Sequence, residues 1–171
     1  QPDSRNFLIW YKGARYLRML SFIEHIVLSR VIAPRWFSNP LSIMISLLGM
    51  GMIIAGRYGR SIAMLNCGSN FQFELRQQRE SHNKLVTDGF YRYVRHPSYA
   101  CVILFYLGQC LLLQTPIMST ISMLAVLAVC FIRIASEEES LVEMYGDDNR
   151  KFQQQTPPIL PIVLGGQVGP V

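Results

Sequence analysis

Long uncharged stretches dominate the pattern of hydrophobic and polar positions along this chain. No charged side chain occurs within residues 36–56 or 99–132. Uncharged runs of this length are typical of helices that cross a bilayer. We therefore predict membrane helices over residues 41–56, 99–114 and 117–132.

The second uncharged stretch is too long for one uninterrupted helix. Gln114, Thr115 and Pro116 supply a break, because a proline disfavours helix at the residue before it and at its own position. At a rise of ~1.5 Å per residue, each half spans about 24 Å, slightly less than the ~30 Å hydrocarbon core of a membrane. We predict a helical hairpin that dips through the membrane and returns to the same side.

A weaker periodicity precedes these segments. Across residues 16–33, apolar residues recur three and four positions apart, which predicts an interfacial or tilted membrane helix. Glu24 and His25 interrupt its apolar pattern, and Pro34 ends it. The tail, residues 151–171, is rich in Gln and Pro, and we expect it to form irregular structure along the surface.

Composition favours a membrane protein. Of the 171 residues, 50% are hydrophobic and 16% are charged, and the mean hydropathy of +0.23 is high for a soluble domain. We predict one all-α, integral-membrane domain over residues 1–171, folded as a multi-pass transmembrane helical bundle. A soluble, all-helical core protein is the alternative, because the apolar segments are short for membrane spans. The first residue is Gln rather than Met, so we expect native N-terminal residues to be missing.

The net charge of +5 is unevenly placed along the chain. Seven of the 16 Lys and Arg residues lie between Arg57 and Arg95, a stretch that separates two uncharged segments. This placement is typical of a cytoplasmic loop under the positive-inside bias. No nucleic-acid-binding motif accompanies the charge, so we expect no nucleic-acid partner.

The cysteines do not indicate a metal site or a disulfide framework. The four cysteines are not spaced as metal ligands or as a disulfide framework would be, and we expect buried, reduced thiols. They are Cys67, Cys101, Cys110 and Cys130. The sequence also contains no HExxH pair, glycine-rich phosphate loop or Ser/His/Asp set. We therefore expect no metal.

A polar, aromatic motif stands at the entrance to the predicted hairpin. His96 precedes Pro97. The proline keeps His96 out of helical geometry, and the proline itself suits the first turn of the next helix. The free N–H groups of that turn favour a carboxylate, and the ring faces of Tyr91, Tyr93 and Tyr99 attract an onium cation. S-adenosylmethionine carries both a carboxylate and a sulfonium. An aromatic belt at the membrane interface is the other interpretation.

A second charged motif follows the return of the hairpin. Arg133 and Glu137 are four residues apart and share a helix face, which fits either an intrahelical salt bridge or a pair of ligand contacts. Glu137 is a candidate to bind a ligand amine or ribose hydroxyls, whereas we expect Glu138 and Glu139 to point elsewhere and to be solvated. Because a hairpin brings its two ends to the same side, we expect this motif to share one aqueous rim with His96.

These motifs resemble those of the isoprenylcysteine carboxyl methyltransferases, membrane enzymes that methylate the C-terminal prenylcysteine of CaaX proteins. The resemblance covers about residues 41–161. Phospholipid N-methyltransferases share a similar Arg-His-Pro motif and are the alternative enzyme class. A small membrane scaffold or sterol-binding protein is the non-enzyme alternative. The segments that carry the resemblance are Gly68 to Phe71, Leu85 to Gly89, Tyr91, Arg95 to Tyr99, Arg133 to Glu138, Leu141 and Gly146.

The resemblance implies a multi-pass protein of the endoplasmic-reticulum membrane, with a cofactor pocket that faces the cytosol. It implies S-adenosylmethionine as co-substrate, and prenylated CaaX proteins and membrane lipids as partners. Carried over by position, Arg133 would orient the substrate carboxylate. Arg76 stands where relatives carry a cofactor-contacting glutamine. The residues that would hold the cofactor are Arg76, Asn83, Lys84, Leu85, Val86, Tyr91, His96, Pro97, Ser98, Tyr99 and Glu137.

The chemistry of such a reaction limits the roles of these residues. Methyl transfer to a carboxylate is an in-line displacement, and an α-carboxyl of pKa about 3.5 is already ionised at neutral pH. No general base is required, so we assign His96 to cofactor binding. The remaining tasks are to bring two poorly miscible reactants together and to orient the carboxylate, for which the guanidinium of Arg133 has matching geometry.

Overall fold

A computed structural model describes residues 4–67 and 85–159, and within these ranges every regular element is a helix. The chain divides into two compact units, Gln1–Gly56 with Ile103–Ala128 and Arg57–Val102 with Val129–Val171. The elements in chain order are α1 (Ser4–Val27), a π-helical turn (Leu28–Ile32), α2 (Pro34–Phe37), α3 (Pro40–Cys67), a 3-10 turn (Gly89–Arg92), α4 (Pro97–Leu113), α5 (Pro116–Tyr145) and α6 (Asp147–Gln155).

The main helices extend beyond the apolar segments that the sequence predicts. Helix α3 continues past Arg57 to Cys67, and α5 continues past Arg133 to Tyr145. A charged side chain ends an apolar run without ending a helix, since arginine and glutamate are good helix formers. By length and composition α3 and α5 are able to cross a membrane, and α4 is a shorter apolar helix.

The predicted break between the two hairpin helices is confirmed. Helix α4 ends at Leu113 and α5 begins at Pro116. Between them Gln114 has a φ of 51°, in the left-handed region that reverses the chain direction. Prolines also begin α3 and α4, where their missing N–H has no intrahelical partner to lose.

Gln114 also fastens this turn, which lies in the first unit. Its Nε2 donates to the Ser42 carbonyl at 2.8 Å and to Ser46 Oγ at 2.9 Å. Its Oε1 accepts from Trp36 Nε1 at 2.6 Å. A polar side chain beside apolar helices is stable only when its donors and acceptors are paired. The glutamine therefore ties the start of α3 to the end of α4.

Glu24 is one of the charged residues that interrupt the apolar pattern of α1, and its side chain has a structural role. Its two carboxylate oxygens accept from the backbone N–H groups of Ile117 at 3.1 Å and Met118 at 2.8 Å. These N–H groups belong to the first turn of α5, where no intrahelical acceptor exists and the helix dipole favours an anion. Next to it, His25 Nδ1 lies 2.7 Å from the carbonyl of Leu113, the last residue of α4.

Two glycines allow α3 and α4 to meet backbone against backbone in the first unit. A Cβ at Gly49 would lie 2.6 Å from the carbonyl oxygen of Gly108, and one at Gly108 would lie 2.7 Å from that of Gly49 and 2.8 Å from the nitrogen of Ile53. On α3, Gly49 therefore allows this close contact. Gly51 has nothing within 4 Å of an added Cβ.

Part of the predicted irregular tail forms a helix in the second unit. The prediction was wrong for residues 151–155, which form the second half of α6. Gly146 precedes the helix with a φ of 54°, and Asp147 and Asp148 occupy its first turn, where the dipole favours acidic side chains. Residues 160–171 lie outside the described part of the chain.

We predict that Gly108→Ala destabilises the folded chain by about 2 kcal/mol, because the added methyl meets backbone atoms that cannot rotate away. The measurement is thermal or denaturant unfolding of the detergent-solubilised protein. The control is Gly51→Ala, also in a helix of the first unit, which is expected to leave stability unchanged or slightly raised. Equal stability of the two variants would contradict the close packing of α3 on α4.

Candidate active site around His96

His96 lies in the non-helical segment directly before α4, and its side chain is 5% exposed. Two backbone hydrogen bonds hold this segment to the chain that follows α6. The N–H of Arg95 donates to the Pro157 carbonyl, and the N–H of His96 donates to the Pro158 carbonyl, both at 2.9 Å. The loop therefore has a fixed backbone, although it belongs to no helix.

The imidazole of His96 lies between two adjacent glutamates of α5. Its Nε2 is 2.6 Å from Glu138 Oε1, and its Nδ1 is 3.5 Å from Glu137 Oε2. The prediction that the charged motifs at the two ends of the hairpin meet is thus confirmed within the second unit.

These two carboxylates control the charge of His96. Burial alone lowers the pKa of an imidazole, since it disfavours the cation. Hydrogen bonding to Glu137 and Glu138, together with their negative charge, outweighs that effect, so the pKa of His96 lies above its usual value. The site therefore stabilises the protonated form of His96 relative to a free imidazole, which fits the binding role expected from the sequence.

Tyr99 joins the same group from the first turn of α4. Its hydroxyl donates to Glu137 Oε1, and its ring centroid lies 6.0 Å from that of His96 in an edge-on arrangement. Arg133 lies one turn before Glu137 on α5, so the two residues share a helix face. Four sequence-predicted site residues are thus brought into one neighbourhood: His96, Tyr99, Arg133 and Glu137.

The other two tyrosines of the motif are placed differently. The Tyr91 hydroxyl donates to the Ala63 carbonyl at 3.5 Å. The pKa of Tyr91 is raised, mainly by burial, then by Cys67 and by the negative charge of Glu137. Tyr93 is 72% exposed. Of the three rings expected to attract a cation, that of Tyr93 is therefore the most open to solvent.

The expectation that Glu138 is simply solvated is wrong. Its side chain is 19% exposed, and Oε1 accepts from both Arg95 Nε at 3.0 Å and His96 Nε2. Its Oε2 accepts from Gln153 of α6. The signal available in the sequence was charge complementarity, since an Arg-His pair and consecutive glutamates were predicted to share one rim. Glu139, in contrast, is exposed as expected.

Arg95 is a second residue whose role the sequence did not reveal. One of its terminal nitrogens donates to the carbonyls of Gln153 at 2.8 Å and Thr156 at 2.9 Å. These carbonyls belong to the last turn of α6, where a cation is favoured by the helix dipole. With its bond to Glu138, the guanidinium links the loop before α4, the end of α5 and the end of α6.

The remaining predicted cofactor residues divide into two groups. Leu85 and Val86 are half-buried and non-helical, while Pro97 and Ser98 are buried in the first turn of α4. The predicted contacts of Arg76, Asn83 and Lys84, and the Gly68 to Phe71 segment, lie outside the described residues.

A family model for the isoprenylcysteine carboxyl methyltransferase (ICMT) family matches residues 47–143, a range that holds His96, Tyr99, Arg133, Glu137 and Glu138. The chain belongs to this family. The family assignment made from the sequence motifs is therefore confirmed, and it favours the prenylcysteine enzymes over the phospholipid N-methyltransferase and scaffold alternatives. Helix α6, Asp147–Gln155, follows the matched range.

Curated relatives of the ICMT family agree. The chain is 31% identical over 153 residues to protein-S-isoprenylcysteine O-methyltransferase B of Arabidopsis thaliana, covering 90% of this chain and 74% of the relative. It is 33% identical over 114 residues to the Schizosaccharomyces pombe protein-S-isoprenylcysteine O-methyltransferase, covering 67% of this chain and 48% of the relative. The Rattus norvegicus enzyme of the same name is 32% identical over 125 residues, covering 73% of this chain and 44% of the relative.

A solved structure shares the fold. The structure of the eukaryotic intramembrane Ras methyltransferase ICMT superposes with a TM-score of 0.80 at 26% identity, covering 89% of this chain and 53% of that chain. The chain thus spans about half the length of that protein and of the yeast and rat relatives. The predicted fold class, an all-helical membrane protein, is confirmed for the described residues.

We predict that Arg95→Lys loosens the end of α6, because a lysine cannot serve the Glu138 carboxylate and two helix carbonyls at once. The expected loss is about 2 kcal/mol of unfolding free energy, with faster proteolytic cleavage after α6 in the detergent-solubilised protein.

The control for this variant is Arg150→Lys on α6 itself. The Arg150 side chain is 66% exposed, and one of its terminal nitrogens lies 4.0 Å from a carboxylate oxygen of Asp147. An exposed pair of this kind contributes little, so the control should behave like the unmodified chain. Equal cleavage of Arg95→Lys and Arg150→Lys would refute the role of Arg95.

Proposed function

We propose that this chain transfers a methyl group from S-adenosylmethionine to the α-carboxylate of a C-terminal prenylcysteine, giving a methyl ester. The observation that carries the proposal is the shared placement of His96, Tyr99 and Glu137 at the facing ends of α4 and α5, in a chain of the ICMT family. The substrates are CaaX-processed proteins that carry a farnesyl or geranylgeranyl group.

The chemistry of these residues fits the proposed co-substrate. Glu137 is 30% exposed, so its carboxylate is engaged by Tyr99 yet still open to a further donor such as an amine or a ribose hydroxyl. The ring of Tyr99 offers a face for a cation. The N-terminal end of α4 at Pro97 is the positive end of the helix dipole, which favours a carboxylate. Leu85, Val86, Tyr91 and Ser98 complete the described part of the proposed pocket, with Arg76, Asn83 and Lys84 as further proposed contacts.

In the proposed reaction the sulfonium supplies an electrophilic methyl group. A carboxylate oxygen of the substrate forms the new bond to carbon while the carbon–sulfur bond breaks, and sulfur keeps the electron pair. No proton is transferred. The task of Arg133 is to orient the carboxylate, because a guanidinium offers paired donors that match carboxylate geometry. His96 and Glu137 bind and do not act as bases.

The proposed endoplasmic-reticulum location rests on the family resemblance, and the distribution of charge along the chain supports the proposed orientation. Apolar helices α3 and α5 would cross the endoplasmic-reticulum membrane, in contact with its lipids, and the basic stretch between α3 and α4 would face the cytosol. The pocket at the start of α4 would then open toward cytosolic S-adenosylmethionine. The prenyl group would reach it from the lipid phase.

A phospholipid N-methyltransferase reaction suits these residues less well. Its amine nucleophile is protonated at neutral pH and must lose a proton first, so a base would be needed. Because the pKa of His96 is raised, its imidazole holds its own proton more readily and is less available to accept one from the amine. Arg133 near the acceptor would also repel a cationic headgroup.

The test is a radiolabelled-methyl assay in detergent or vesicles, with N-acetyl-S-farnesylcysteine and phosphatidylethanolamine as competing acceptors. We expect label on the prenylcysteine only. In the same assay Arg133→Ala should mainly raise KM for the prenylcysteine, whereas Glu137→Ala should mainly raise KM for S-adenosylmethionine, each about tenfold or more for a lost charge-assisted hydrogen bond.

Glu139→Ala is the matched control on the same helix, because its side chain is exposed. It should leave both KM values unchanged. Label on phosphatidylethanolamine alone would replace the proposal with the phospholipid enzyme. Wild-type kinetics in both the Arg133 and Glu137 variants would refute the residue assignments.

A further inference from the structure

Glu138 uses both of its carboxylate oxygens as acceptors, from three donors in two different segments, the loop before α4 and helix α6. Oε1 accepts from Arg95 Nε at 3.0 Å and from His96 Nε2 at 2.6 Å, and Oε2 accepts from Gln153 Nε2. An arginine donor on the same oxygen favours the ionised carboxylate, which has no proton to give. The hydrogen between Glu138 and His96 therefore belongs to the imidazole.

It follows that Nε2 of His96 is the ring nitrogen that stays protonated in both charge states of the imidazole. With Nε2–H directed at Glu138, the Nδ1 edge faces Glu137 Oε2 at 3.5 Å. The titratable and charged groups around the ring are Glu137 and Glu138 from α5, Tyr99 from α4 and Arg95 beside it.

The backbone of His96 does not depend on Glu138. Its N–H is held by the Pro158 carbonyl at 2.9 Å, and the N–H of Arg95 is held by Pro157. Loss of the Glu138 carboxylate would therefore release the imidazole ring while the loop stays attached to the segment after α6. The role of Glu138 in orienting the imidazole ring can therefore be tested separately from any role in holding the loop in place.

We infer that Glu138 is a positioning residue, which fixes the Nε2–H form of His96 and so keeps the Nδ1 edge of the ring directed at Glu137 in the cofactor pocket. The device resembles the way an outer carboxylate orients a functional histidine in many sites. Gln153 sets the rotation of the Glu138 carboxylate, so α6 takes part in shaping the pocket. The consequence for cofactor binding rests on the proposed function, whereas the orientation of His96 does not.

The first measurement is nitrogen NMR of ¹⁵N-histidine-labelled protein in detergent. The chain has three histidines, and His96→Gln identifies the signal of His96. In the unmodified protein Nε2 should remain protonated through the titration. In Glu138→Gln the titration midpoint of His96 should fall, because a negative charge that favours the imidazolium is gone, and the preference for Nε2–H should be lost.

The second measurement is calorimetric binding of S-adenosylmethionine. Glu138→Gln should weaken binding about tenfold, the typical effect of losing one charge-assisted hydrogen bond, with a smaller change in kcat at saturation. Glu139→Gln, an exposed neighbour, is the matched control and should match the unmodified chain in both measurements.

Two outcomes separate this inference from the proposed function. If Glu138→Gln leaves both the His96 titration and cofactor affinity unchanged, Glu138 does not position His96, whatever the enzyme methylates. If the His96 signal responds as expected but prenylcysteine is not methylated, the positioning role holds and the proposed function fails. Should Glu138→Gln not fold, Gln153→Ala decides the matter. A smaller shift of the His96 midpoint in the same direction supports the role, and an unchanged midpoint overturns it.

Discussion

Pairing of buried charge is the constraint on which the second unit depends. An arginine, a histidine and two glutamates lie side by side next to apolar helices, where an unpaired ion is strongly disfavoured. Arg95 and His96 both donate to Glu138, and Glu137 accepts from Tyr99 while facing the other edge of the imidazole. Each charged side chain of this network is thus stabilised by the neighbours that pair with it.

This network also explains how chemically distinct parts of the chain reach one place. The loop before α4, the charged end of α5 and the end of α6 have no shared apolar pattern that would bring them together. The guanidinium of Arg95 contacts all of them through Glu138, the Gln153 carbonyl and the Thr156 carbonyl. The same contacts leave Glu137 30% exposed, so one carboxylate is used for structure and the adjacent one remains available to a ligand.

The sequence predicted the features that depend on local rules. Pro116 marks the hairpin break and Pro97 the start of α4, because a proline acts through its own ring and its missing N–H. The meeting of His96 with Glu137 followed from the hairpin alone. The sequence did not predict the role of Glu138, since adjacent residues on a helix point about 100° apart and a fixed partner for each is a tertiary property. It also missed α6, although Asp147 and Asp148 are typical of a helix start.

The most direct test of the account is whether both ends of the hairpin face the same aqueous compartment. In a background without native cysteines, Tyr93→Cys and Glu139→Cys place one thiol near each end of the hairpin, at positions that are exposed. A membrane-impermeant maleimide applied to sealed vesicles of one orientation should label both thiols from the same side. Labelling of the two positions from opposite sides would contradict the shared pocket of His96 and Glu137.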